Sequence, residues 1–130
     1  MLKEPKRFSP GKIWKESISP QELESWVRFV QEKAFETLKE AGESVLSVDD
    51  IHLTVSVEYP TLDYRDSKFK RKISVITTRT GGFTSQFDIA CFSRNVDAIK
   101  TFEEYAKFKK ATKVCEHNDR FETRKEITVA

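Results

Sequence analysis

The chain has 130 residues, enough to bury one core and too few for two, and 34% of them are charged, which describes a folded domain with a charge-dense exterior. No apolar run approaches the ~20 residues that a membrane-spanning helix needs, and the basic start, Met1 to Arg7, has no apolar segment behind it, so the reading expects no secretory signal, no membrane and a cytoplasmic protein. Cys91 and Cys115 stand far apart without a Cys-x-x-Cys or Cys/His cluster, which favours two reduced thiols and excludes a zinc site or other metal centre as an expectation.

The first 18 residues read as a basic and aromatic arm (Lys3, Lys6, Arg7, Phe8, Trp14), followed by a single domain over 19–130. A helix opens at Ser19-Pro20-Gln21-Glu22: a capping serine, a proline at the first helical position and a glutamate three residues after the cap. Ile18 and Leu23 are spaced as a hydrophobic staple. Leu23, Trp26, Val27, Val30, Ala34, Leu38 and Ala41 then recur as one stripe at 3.6 residues per turn, and Gly42 supplies the stop. Phe29 and Phe35 fall on opposite flanks of that stripe. They belong either to a widely buried helix or to a surface awaiting a partner.

Residues 51–59 alternate without a fault, with Ile51, Leu53, Val55, Val57 and Tyr59 on one face and His52, Thr54, Ser56 and Glu58 on the other. A second strand is predicted over 69–79, with Phe69, Ile73 and Val75 inward. The third spans 83–92, with Phe83, Phe87, Ile89 and Cys91 inward and Gln86, Asp88 and Ala90 outward. A three-residue loop, Thr80-Gly81-Gly82, sets Val75 opposite Phe87 and Ile73 opposite Ile89, whereas a two-residue loop would put Val75 opposite Asp88. The second helix opens at Ser93 or Asn95, carries Ala98, Ile99, Phe102, Tyr105 and Ala106 on one face, and ends near Ala111. Residues 114–120 read as loop with a turn at His117-Asn118-Asp119, and 121–129 as either an edge strand or a loose tail. The assembled expectation is an α+β fold of order α-β-β-β-α(-β), a mainly antiparallel sheet of three to four strands with both helices on one face.

Three function classes fit this scaffold. The α-β-β-β-α order is similar to that of double-stranded-RNA-binding domains, in which the connection between the first two strands grips the backbone. Arg65, Lys68, Lys70, Arg71 and Lys72 would occupy that connection, but the chain has neither Gly-Pro-x-His in it nor Lys-Lys-x-Ala-Lys opening the last helix, and the family is not assigned. With a further strand the order also resembles the core of PD-(D/E)xK nucleases, which would use Glu58 and Asp88 with Lys70 or Lys72 between them; Asp88-Ile89-Ala90 lacks the lysine of that motif, so a surviving core would be degenerate.

The preferred expectation is a non-catalytic protein-interaction module, an adaptor, inhibitor or regulatory accessory protein, with no catalytic residue and no cofactor. Its helix 1 is acidic while the arm and the 65–72 stretch are basic, and Trp14, Phe29 and Phe35 are its candidate contacts. Its partner is a protein, with nucleic acid as the alternative through the 65–72 stretch. If the tail pairs edge to edge, a symmetric homodimer is the simplest assembly.

Overall fold

The computed structural model describes residues 14–15, 17–40, 42, 51–61, 71–79 and 84–129, and shows an α+β fold of two helices and one sheet. In chain order the elements are β1 (Trp14–Lys15), α1 (Pro20–Glu40), β2 (Ile51–Pro60), β3 (Arg71–Arg79), β4 (Thr84–Phe92), α2 (Asn95–Phe108), β5 (Cys115–Asn118) and β6 (Glu122–Thr128). The sheet order is β1-β4-β3-β2-β6-β5, antiparallel throughout except where the two residues of β1 pair parallel with Cys91 and Phe92. The end of the N-terminal arm is therefore part of the sheet. The predicted Phe69, Phe83 and Gly81-Gly82 positions lie outside the described residues.

Helix α1 starts as its sequence requires. The Glu22 amide donates to Ser19 Oγ at 3.1 Å and the Leu23 amide to the Ser19 carbonyl at 3.0 Å, while Ile18 and Leu23 are both buried. Gly42 ends the run at φ 77°, the left-handed region that favours glycine, with its amide on the Lys39 carbonyl. Leu23, Trp26, Val27 and Val30 of α1 and Ala98, Phe102 and Tyr105 of α2 close over Ile51, Leu53, Val55, Val57, Ile73 and Val75. Both helices cover the same face of the sheet and touch each other there.

One polar clamp ties the two helices. Glu24 on α1 accepts from Tyr105 Oη and from Lys109 Nζ, each at 2.7 Å, with Arg28 Nη2 at 3.9 Å. Burial alone would raise the Glu24 carboxyl, but the hydrogen bonds from Lys109 and Tyr105 and the charges of Lys109 and Arg28 hold it below the ordinary range. A carboxylate depressed in the folded state adds stability above its unfolded pKa, and that contribution is lost as pH falls through the folded value. Glu24→Gln is therefore expected to lower the melting temperature at pH 7, with the gap to wild type narrowing as pH drops below roughly 4. Thermal unfolding across pH 3–7 checks it; a gap that stays constant would show that hydrogen-bond geometry, and not charge, makes the clamp.

The β3–β4 pairing holds the expected register at Val75 opposite Phe87 and sets Thr78 opposite Thr84, while the predicted Thr80-Gly81-Gly82 loop lies outside the described residues. It then departs. Ser74 faces Asp88 but Ile73 faces Ala90, so Ile89 is an extra residue, a β-bulge. The bulge reverses the inward and outward sense of the residues beyond it. Phe92, opposite Arg71, enters the core with no exposed surface, and Cys91, opposite Lys72, falls on the other face, contrary to the expected inward Cys91 and outward Ala90.

The C-terminal region differs most from expectation. Residues expected as loop form β5, and the turn starts two residues later than predicted, where Asp119 Oδ1 accepts from the amides of Phe121 and Glu122, each at 2.7 Å. The tail is an interior strand, because β6 pairs with β2 on one side and β5 on the other. The edge expected of the tail belongs to β5, and the sheet exceeds the expected three to four strands.

Candidate interaction surface

Period-two alternation fixes which side chains share the face of the sheet that the helices leave uncovered. Cross-strand register sets them in rows. One row runs His117, Arg124, Glu58, Lys72 and Cys91, and the next Cys115, Glu126, Ser56, Ser74 and Asp88. Ser56 and Ser74 lie fully buried beneath their longer neighbours.

The β3–β4 side of this face is internally paired. Lys72 Nζ reaches both Asp88 carboxylate oxygens at 3.4 Å, and Ser74 Oγ donates to Asp88 Oδ1 at 2.9 Å. Burial pushes the Asp88 carboxyl up, and the bonds from Ser74, Lys72 and Gln86 more than offset it. Glu58, Lys72 and Asp88 do share a face with the lysine between the two acids, as the nuclease reading needs. In this arrangement Asp88 already spends its lone pairs on three side chains. Among the described residues no group of three or more His, Cys, Asp and Glu is placed to hold a metal ion.

The β5–β6 side is different. Glu58, His117, Asn118, Asp119, Glu122 and Arg124 line a hollow of about 250 Å³. Arg124 is committed through Nη2 to Glu126 at 2.8 Å, and His117 Nε2 stands 3.6 Å from the same glutamate. Burial and the neighbouring carboxyls of Glu58 and Asp119 push the Glu122 carboxyl up. A second hollow, of about 300 Å³, is lined by Ala111, Thr112, Lys113, Cys115, Glu126 and Thr128.

Among the described residues strand β5 is one edge of the sheet, and large apolar side chains flank it: Val114, 47% exposed, at its start and Phe121, 56% exposed, in the turn after it. The turn bond from the Asp119 amide to the Glu122 carbonyl sets the phase of the ladder. Cys115 and His117 then spend their backbone groups on β6, and Glu116 and Asn118 direct theirs outward. Sequence reasoning missed this strand because its four residues, Cys-Glu-His-Asn, carry no apolar alternation; Asp119 as the residue capping the turn was the one available signal.

The residues singled out from sequence are scattered. Phe29 and Phe35 are half-buried and pack against the core, which supports the wide-helix alternative. Phe29 meets Trp26 edge to face at 5.8 Å, and Lys33 and Lys39 lie over the rings of Phe29 and Phe35. Trp14 is in β1 by its backbone. Arg65, Lys68 and Lys70 lie outside the described residues. Arg71 and Lys72 part company at the sheet: Arg71 turns to the helix side, 5% exposed, with Nε donating to Asn95 Oδ1 at 2.8 Å, while Lys72 joins the open face.

Among the described residues no helix is long and apolar enough to cross a membrane. Comparison with protein-family models, with curated proteins and with solved structures gives no match for this chain.

Proposed function

We propose that the chain is a non-catalytic protein-interaction module, an adaptor, inhibitor or regulatory accessory protein, that acts by surface binding to a macromolecular partner. The observation that carries this reading is the β5 edge bracketed by the exposed Val114 and Phe121. An edge strand offers main-chain groups that another chain can use, and apolar side chains at both ends offer the area that excludes water from the contact. The charge of the open face supports a protein partner over a phosphate backbone: Glu58, Asp88, Glu122 and Glu126 face outward against Lys72 and Arg124.

The test is retention of a defined partner from nuclease-treated lysate by the full-length protein, followed by reconstitution of the pair from purified components. A complex of fixed stoichiometry is expected, and Val114→Ser with Phe121→Ser should weaken it about tenfold or more without lowering the helical signal of the domain. If the purified pair fails to reassemble, or nothing survives nuclease treatment, the module reading fails. An undiminished complex in the double variant would move the contact away from this end of the sheet.

A further inference from the structure

We infer that β5 is a docking edge for an extended segment of a partner protein carrying a lysine or arginine, laid beside Cys115–Asn118 as a seventh strand with its basic side chain over the acidic hollow. This rests on the interaction reading and names the chemistry of the partner. The outward N–H and C=O groups of Glu116 and Asn118 give an added strand its main-chain partners.

The two hollows give it register. Cys115 helps line one and His117 the other, and both project onto the open face. Two residues along a strand is about 6.6 Å, the interval between alternate side chains of any strand added alongside. Consecutive same-face side chains of the incoming segment therefore meet consecutive hollows. The added backbone would lie ~4.8 Å outside β5, so a side chain must cross β5 to reach Glu122 on β6. Lysine and arginine have that reach.

Charge selects between long side chains. Glu58, Asp119 and Glu122 meet at the hollow, and among the described residues that line it Arg124 is the lysine or arginine, its Nη2 paired with Glu126 at 2.8 Å. Burial first, and then the carboxyls of Glu58 and Asp119, make ionisation of Glu122 unfavourable; the charge of Lys72 offsets this only in part, and a cation brought to the hollow adds to that offset. An acidic or neutral segment would bring no positive charge to Glu58 and Glu122.

The experiment titrates the full-length ¹⁵N-labelled protein with the acetylated, amidated peptide Thr-Val-Thr-Lys-Thr-Val-Thr, and with the same peptide carrying Glu in place of Lys. The lysine peptide is expected to shift the Glu116 and Asn118 amides. The glutamate peptide, and the Glu58→Gln/Glu122→Gln protein, should each bind at least about fivefold more weakly. Glu116→Pro removes an outward amide that the ladder does not use and should abolish the response, whereas Glu116→Ala should retain it. The charge comparison stands whether or not the proline variant folds. The inference is overturned by silence at Glu116 and Asn118, by equal binding of both peptides, or by a response surviving in folded Glu116→Pro. If a partner captured from lysate is retained by Glu116→Pro, the docking edge is wrong while the module reading stands.

Discussion

Phe92→Ala is expected to cost about 3–5 kcal/mol of unfolding free energy, while Cys91→Ala costs about 1 kcal/mol or less, a contrast set by the bulge at Ile89. Phe92 is fully buried in the core cluster with Ile73, Ile89 and Phe102, so truncation loses the transfer energy of a ring and leaves a cavity that the sheet cannot close. Cys91 is 6% exposed but sits on the opposite face, opposite Lys72 and beside β1. Single domains of this size are stable by about 5–15 kcal/mol, so the Phe92 variant should show a large fall in urea midpoint and partial unfolding near physiological temperature. Similar costs for the two variants, or a larger one for Cys91→Ala, would mean that the strand keeps strict alternation through residue 92.

The same bulge shows what periodicity can and cannot deliver. On β2, five apolar residues alternate with four polar ones, so one register satisfies the pattern, and the burial of Ile51, Leu53, Val55, Val57 and Tyr59 agrees with it. On β4 the run Ile89-Ala90-Cys91-Phe92 is apolar at every position, so a slip of one residue leaves no polar group stranded and the sequence is silent about it. The cap of α1 was legible because Ser19, Pro20 and Glu22 each have a separate physical reason to be there. Strand β5 was not, because an exposed edge has little to bury; its hydrogen bonds to β6, and not its side-chain pattern, define it. The candidate surface shares that opacity. Glu58 was visible as an outward residue of β2, but its meeting with Asp119 and Glu122 depends on β6 inserting between β2 and β5.

The second large effect lies at Asn95, where Asn95→Ala is expected to cost about 2–4 kcal/mol. Its side chain accepts from Arg71 Nε at 2.8 Å and donates through Nδ2 to the Pro60 carbonyl at 2.9 Å, both buried bonds. Alanine removes one acceptor from the guanidinium of Arg71, a residue 5% exposed, and one donor from the Pro60 carbonyl. Asn95→Asp keeps an acceptor for Arg71 and adds a charge to pair with it, but abolishes the donor to Pro60, so its cost should lie below that of alanine. If aspartate proves the worse substitution, the Pro60 bond outweighs the arginine contact. Pro60 ends β2 and Arg71 begins β3, so one amide at the first turn of α2 clips together the two ends of the basic connection. Hydrogen exchange should therefore report the loss first at the ends of those strands, with faster exchange of the Tyr59 and Ile73 amides in Asn95→Ala while the centre of the sheet at Val55 and Val75 stays protected. Uniform acceleration across all four amides would mean that the clip stabilises the domain as a whole and does not act locally on the ends of the connection.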